Sequence, residues 1–215
     1  IFATSILTGV ALAGTGRNSV GAKSPLTNGY GEAEAGGHWG AEFKRTGHDA
    51  IVVEGKAQSP VYLLVGEGKV ELLDARHLWG KTTGDTQEAI FREIGDRRVR
   101  VASIGPGGEN LVRMACIISD LRHAAGRTGL GAVMGSKNLK AIAVRGGKRP
   151  QVADPATIQR LAKWIAENYM QLCRGLHDVG TSAGVSPLSR AGCLPTRNFR
   201  EGTFKGADNI SGEKM

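Results

Sequence analysis

The sequence predicts an α+β protein, in which a mainly antiparallel sheet domain is followed by the beginning of a helical domain. Two observations support this class. Up to about residue 147, short runs rich in β-branched residues alternate with glycine-marked turns, as in successive β-hairpins. After residue 150, apolar residues recur at the spacing of an amphipathic helix. We therefore predict two domains, residues 1–149 and residues 150–215.

The strands of the first domain are predicted from apolar runs that turn residues interrupt. The runs cover residues 50–55, 61–65, 69–73, 98–104 and 139–144. The first of them should be a buried strand. The second and third flank a loop with two glycines at residues 66–68, which indicates a hairpin.

Helices are expected at residues 36–46, at residues 85–94 and, as a short segment, after Gly129. Thr83 or Asp85 could cap the second of these helices. In the second domain, Asp154 is a suitable N-cap and Pro155 suits the first helical position. The apolar stripe that follows should face a core, and its members are Ile158, Leu161, Trp164, Ile165, Tyr169 and Leu172.

Composition argues against nucleic acid and membrane partners. The chain has 28 Lys and Arg residues against 20 Asp and Glu, a formal charge of +8, but no run of five basic residues. Only five Phe and three Tyr are available to stack on bases, and no stretch interleaves them with arginine. The apolar residues 1–13 lack a basic leader and are too short to cross a bilayer, so we expect a buried strand and a turn there.

The three cysteines predict a reducing compartment, which we take to be the cytoplasm. An odd number without CxxC spacing suits neither a disulfide framework nor a metal site. Cys116 lies in an apolar run and should pack as a small buried residue. Cys193 is expected to be an ordinary loop residue.

Three turns combine small residues with charge. They contain Arg17; Glu34, Ala35, Gly36 and Gly37; and Arg122, His123, Ala124, Ala125 and Gly126. Small residues let a ligand approach the backbone, arginine binds phosphate, and a helix after Gly129 would offer its N–H groups to an anion. The glycine spacing matches neither the dinucleotide-binding motif nor the P-loop. The residues alone leave two interpretations open, a cradle for a polyanion or plain hairpin turns.

Several stretches resemble the N-terminal domain of the aldehyde:ferredoxin oxidoreductase family of tungsten-pterin enzymes. They follow the family's order, at residues 16–17, 23–27, 36–42, 47–57, 104–110 and 124–142. The last stretch is long and far more specific than a lone glycine motif. The resemblance runs from Ile1 to Met215, and we interpret the chain as a fragment of a longer polypeptide.

The resemblance implies two antiparallel sheets that hold a tungsten ion, or a molybdenum ion, chelated by two pterin dithiolenes. The pterin phosphates would meet near a magnesium ion. Arg17 would bind phosphate, and the turns at residues 34–37 and 122–126 would contact the phosphates and the magnesium. The backbone carbonyls of Glu34 and Ala124 match the expected magnesium ligands.

The chain departs from the family's pattern at two of these positions. Glu34 stands in the place of an asparagine, and His123 stands in the place of an arginine. A backbone carbonyl ligand tolerates a changed side chain, so magnesium binding should survive at Glu34. The guanidinium missing at His123 could be supplied by its neighbour Arg122.

The activity implied by the resemblance is oxidation of an aldehyde to a carboxylate, with water supplying the oxygen. Electrons would pass through a [4Fe–4S] cluster to ferredoxin. We expect the cluster cysteines and the catalytic residues beyond Met215, and we assign no catalytic residue here. A homo-oligomer is left open. The alternative is a non-catalytic basic module that binds a phosphorylated ligand or RNA.

Overall fold

Two β-sheets dominate the first part of the chain, and helices make up the rest. The computed structural model describes every residue from Ile1 to Met215. The chain divides into two units, Ile1–Ile158 and Gln159–Met215. The strands are β1 Phe2–Thr4, β2 Asn18–Lys23, β3 Tyr30–Ala35, β4 Ala50–Ile51, β5 Val61–Gly66, β6 Lys69–Asp74, β7 Arg100–Ser103, β8 Ile117–Ser119, β9 His123–Ala125 and β10 Leu139–Val144. The α-helices are α1 Trp39–Arg45, α2 Thr83–Ile94, α3 Pro106–Glu109, α4 Leu130–Ser136, α5 Pro155–Leu172, α6 Arg174–Val179 and α7 Val185–Arg190.

The sheets are mainly antiparallel, as predicted. Sheet A has the order β3-β2-β1-β4, and sheet B has the order β6-β5-β10-β7-β8-β9. Every pair in sheet A is antiparallel. Sheet B contains one parallel pair, β5 with β10. Hairpin signals did not predict this pair, because its two strands are far apart in the sequence.

The centre of sheet B is buried on both faces, which explains the mainly apolar sequence of β10. All six residues of β10 are buried. One face of sheet B shares a core with sheet A around Phe2, Trp39 and Phe43. The other face packs with Leu78 and Ile90 in a second apolar cluster. The central strand is therefore inaccessible to ligands, and a binding site has to lie at the edges of the sheets.

Several strands begin or end at residues other than those predicted, because strand pairing and not the local sequence pattern sets their ends. The run at residues 50–55 is not a buried strand, since only Ala50–Ile51 pairs with the three-residue strand β1 and Val52 is exposed. The strand expected at residues 98–104 is shortened to Arg100–Ser103. The hairpin between β5 and β6 turns through two residues rather than three, because Gly66 pairs with Lys69.

Two predicted helices begin at other residues than expected. α1 begins only at Trp39, because Gly37 has a left-handed φ of 85° that interrupts the helix. α2 is capped by Thr82 rather than by Thr83 or Asp85, and the Thr82 hydroxyl oxygen accepts a hydrogen bond from the Asp85 N–H at 3.2 Å. The cap predicted for α5 is confirmed, since the Asp154 carboxylate accepts the Thr157 N–H at 2.9 Å.

The apolar stripe of α5 is not buried, contrary to the prediction that it faces a core. Trp164 is 51% exposed and Leu172 is 64% exposed, and no residue of α5 is buried. The buried residues of Gln159–Met215 are all small, namely Ser186, Ser189, Ala207 and Ser211. This unit therefore contains no apolar core that could cover the stripe.

The central strand also carries a lysine whose burial the sequence pattern did not predict. The Lys140 side chain is fully buried and forms an ion pair with the buried Glu109 of α3. The Lys140 ammonium also donates to the Lys81 carbonyl at 2.8 Å, and Glu109 accepts the Gly80 N–H at 2.8 Å. Burial lowers the pKa of Lys140 more than the Glu109 carboxylate raises it. The pair therefore fixes α3 against β10 without adding much net stability.

Replacing Lys140 with methionine should destabilise the first unit strongly. The variant Lys140→Met leaves the Glu109 carboxylate buried without its cation, which typically costs about 3–5 kcal/mol. The control Lys163→Met removes an exposed partner of Glu167, and this should cost less than about 0.5 kcal/mol. Denaturant unfolding of both variants measures the difference, and equal losses would contradict the structural role of Lys140.

Candidate functional site

The two sheets bring an edge strand of each side by side. β3 is the edge of sheet A and β9 is the edge of sheet B, and the two strands lie in contact without pairing. Edge strands leave backbone N–H and C=O groups without a ladder partner. Along β3, Glu32 and Glu34 are exposed, whereas Ala33 and Ala35 are buried. A ligand between these strands would therefore meet backbone groups, the two glutamate side chains of β3 and the small Ala124 of β9.

The predicted turns meet at the end of this edge because glycines allow them to touch. A Cβ atom at Gly16 would lie 2.6 Å from the Gly37 carbonyl oxygen. A Cβ atom at Gly37 would lie 2.7 Å from Nε2 of His123. The φ of Gly37 is also left-handed, at 85°. The turn before β2, the turn after β3 and strand β9 are thus packed against one another through glycine.

Hydrogen bonds anchor this arrangement to the core. The indole N–H of the fully buried Trp39 donates to the Ile142 carbonyl at 3.0 Å, which ties the turn after β3 to the central strand of sheet B. At the other end of the edge, the buried Ser24 hydroxyl donates to the Thr128 carbonyl at 2.8 Å. Both ends of the contact between the sheets are therefore held by the protein itself.

Arg17 and Glu34 face each other at this edge. Their side chains are 67% and 54% exposed, and Nη1 of Arg17 lies 3.4 Å from a carboxylate oxygen of Glu34. Both residues line two separate hollows. One hollow has a volume of about 580 Å³ and is lined by Glu32, Ala33, Arg127 and Thr128 as well. The other, of about 370 Å³, lies between Arg17, Glu34 and the turn that follows β1. We call the 580 Å³ hollow the groove.

The residues of the third turn do not all face the groove. Ala124 and Gly126 are exposed at the edge strand and directly after it. Arg122 instead lines a different hollow of about 500 Å³, together with His123 and Arg100. Arg127, which follows Gly126, lines the groove. The structure thus places Arg127 in the groove with Arg17, whereas it does not place Arg122 there.

The N-terminus of α4 is not available to an anion, contrary to the expectation from the sequence. The N–H of Gly131 in its first turn donates to the Ala115 carbonyl at 2.9 Å, and Gly129 and Leu130 are buried. The left-handed φ of 74° at Gly129 turns the chain into this contact. The close packing of α4 against the preceding segment covers the helix end, which the sequence pattern could not reveal.

Glu32 and Thr128 are groove residues that sequence reasoning missed. Glu32 had a signal, since charged and small residues alternate along residues 32–35 with the period of a strand. Thr128 had none, because its place in the groove depends on the contact between the two sheets.

The cysteines and the helices give no further site. All three cysteines are free; Cys116 is half-buried rather than buried, and Cys173 and Cys193 are exposed. No three His, Cys, Asp or Glu side chains lie close enough together to hold a metal ion. No helix combines the length and the apolar character that a membrane span requires.

Two models of one protein family together match most of the chain. The model of the aldehyde ferredoxin oxidoreductase N-terminal domain matches residues 1–146, and the model of domains 2 and 3 of the same family matches residues 156–215. The chain belongs to the aldehyde ferredoxin oxidoreductase family. The groove lies in the part that matches the N-terminal domain.

Individual relatives agree with the family models. The tungsten-containing aldehyde ferredoxin oxidoreductases of Pyrococcus abyssi and Pyrococcus horikoshii are each 47% identical over 221 residues, covering the whole chain and 36% of the relative. The WOR-like subunit of an aliphatic sulfonate oxidoreductase from Pyrococcus furiosus is 34% identical over 86% of the chain and 32% of the relative. The chain thus spans about a third of the length of these family members.

A solved structure has the same fold. The active site complex BamBC of benzoyl coenzyme A reductase, in complex with 1,5-dienoyl-CoA, superimposes with a TM-score of 0.76 and 40% sequence identity. The match covers 79% of the present chain and 26% of the solved chain.

Substituting alanine at Gly126 of the third turn and at Gly129, the N-cap of α4, should change the stability by different amounts. Gly129→Ala should lower the free energy of unfolding by more than about 1 kcal/mol, since φ is left-handed and the new Cβ would lie 2.9 Å from the carbonyl carbon of Arg113. Gly126→Ala has ordinary space, with Sγ of Cys116 at 3.5 Å, and should change the stability by less than about 0.5 kcal/mol. Thermal or denaturant unfolding checks this, and the reverse order would contradict the described loop.

Proposed function

We propose that the chain is the cofactor-binding part of an oxidoreductase that oxidises aldehydes to carboxylates and passes the electrons to ferredoxin. The relatives with the highest identity reported above are named tungsten-containing aldehyde ferredoxin oxidoreductases, which supports an aldehyde substrate and ferredoxin. All the named relatives are oxidoreductases, and the solved structure is a reductase. This favours a redox enzyme over a phosphate- or RNA-binding module.

The groove beside β3, together with the adjacent edge of β9, fits the phosphate end of a tungsten-bis-pterin cofactor. Its walls include two exposed arginines, Arg17 and Arg127, and guanidinium groups bind phosphate through paired N–H donors. The small side chains of Ala33 and Ala124 leave the edge-strand backbone accessible. The observation that carries the proposal is this convergence of Arg17 with two unpaired strand edges.

In the proposed complex, the groove and the turns beside it have separate tasks. Arg17 binds a phosphate oxygen, and the turn at Ala35, Gly36 and Gly37 lets the ligand approach the backbone. The carbonyl oxygens of Glu34 and Ala124 hold a magnesium ion, since magnesium prefers oxygen ligands. Ala125 is buried and supports β9 from behind. His123 packs on Gly37 and thereby orients the turn.

The remaining chemistry belongs to the cofactors. When bound, a tungsten-bis-pterin (or its molybdenum counterpart) supplies the two-electron oxidation, and a [4Fe–4S] cluster supplies the path to ferredoxin. This chain contributes binding and orientation. We also propose a cytoplasmic location, since the three cysteines are all free.

We assign residues 1–149 to cofactor binding and residues 150–215 to the beginning of a helical domain. The exposed apolar stripe of α5 supports this assignment, since a stripe of this kind needs a partner. The extra length of the relatives provides room for the rest of that domain.

Replacing Arg17 with alanine should reduce cofactor retention in the complete protein. A guanidinium–phosphate hydrogen bond contributes about 1.5–3 kcal/mol, which corresponds to an affinity loss of about 10- to 150-fold. The measurement is the pterin and tungsten content per folded molecule after purification.

The matched control is Arg76→Ala. Arg76 is equally exposed and also pairs with a carboxylate, Asp74, but it lies outside the groove. Its loss should leave the pterin content unchanged. If both variants keep a full complement of pterin, Arg17 does not bind the cofactor.

A further inference from the structure

Arg17 is not a free phosphate ligand in this structure. Its guanidinium lies 3.4 Å from the Glu34 carboxylate, and the two side chains together line both hollows at the edge of sheet A. A phosphate that enters either hollow therefore meets an arginine that already has an anionic partner. The Glu34 carboxylate and the phosphate would compete for the same N–H donors.

The net formal charge of the groove determines how strongly this competition affects phosphate binding. Its walls carry two cationic side chains, Arg17 and Arg127, and two anionic ones, Glu32 and Glu34. These formal charges cancel, so the groove offers no net attraction to a phosphate. Binding then depends on how the individual pairs rearrange, and the pair of Arg17 with Glu34 is the one that has to open.

The two glutamates differ in what they contact, although they share one face of β3. Glu34 pairs with Arg17, whereas Glu32 accepts a hydrogen bond from the Tyr30 hydroxyl at 3.4 Å. Removing the charge of either residue changes the charge of the groove by the same amount. Only removal of the Glu34 charge releases Arg17. Glu32 is therefore a control for the effect of removing a charge without releasing Arg17.

We propose that Glu34 is an internal competitor for Arg17, so that phosphate binds the groove more tightly when a divalent cation held at the backbone carbonyls also engages the Glu34 carboxylate. This inference rests on the proposed function of the groove and adds a regulatory contact to it. A cation between the carboxylate and the phosphate converts repulsion into attraction and leaves the Arg17 guanidinium to the phosphate. Carboxylate and phosphate oxygens are suitable ligands for Mg²⁺.

The test is the binding of inorganic pyrophosphate to the complete protein prepared without its cofactor, measured by calorimetry with and without Mg²⁺. Without Mg²⁺, Glu34→Gln should bind pyrophosphate about two- to fivefold more tightly than the unmodified protein, the range expected for release of an exposed ion pair. Glu32→Gln should change the affinity clearly less. Mg²⁺ should raise the affinity more in the unmodified protein than in Glu34→Gln. Because Mg²⁺ also binds free pyrophosphate, proteins are compared at the same Mg²⁺ concentration.

The outcomes separate this inference from the proposed function. Equal effects of Glu34→Gln and Glu32→Gln, or no effect of either, would overturn the competition while leaving the groove as a phosphate site if Arg17→Ala still weakens binding. If Arg17→Ala leaves pyrophosphate binding unchanged, both the competition and the assignment of the groove fail. Circular dichroism of each variant confirms that it is folded before binding is compared.

Discussion

The close approach of Gly37 to the ring of His123 determines the shape of the candidate site. Only a residue without a side chain fits at this place, and its left-handed φ directs the chain from β3 into α1. Two residues later the Trp39 indole is buried and bonded to the Ile142 carbonyl. The turn after β3 is therefore held between the two sheets, and its backbone conformation is set in the absence of a ligand. Preorganisation of this kind reduces the conformational entropy that is lost when a ligand binds.

The same constraint explains why the site consists of backbone and small residues. Two sheet edges that approach without pairing leave donors and acceptors unused, which proteins normally cover. Here β3 carries alanine and glycine on its buried side and Glu32 and Glu34 on its exposed side, and β9 exposes only the small Ala124. An anionic ligand with a cation fits such an edge better than an anion alone, because the arginines of the groove are matched by carboxylates.

Local sequence patterns predicted most of the strands and helices. The features that they did not predict depend on tertiary contacts. The strand at Leu139–Val144 and the cap of α5 follow from short-range chemistry. The contact of Gly37 with Gly16 and His123 depends on packing between the sheets. The buried Lys140 and the covered end of α4 do not follow from local patterns either, because each depends on a partner distant in the sequence. The same holds for the exposed stripe of α5, whose pattern shows an apolar face but not whether anything covers it.

The structure of the complete protein with its cofactor bound tests the central claim most directly. If the edges of β3 and β9 form the phosphate cradle, the cofactor phosphates will lie between them, with Arg17 within hydrogen-bond distance and the carbonyls of Glu34 and Ala124 facing a cation. Phosphates that contact neither Arg17 nor either carbonyl would contradict this account. The groove would then be only the place where two sheets meet.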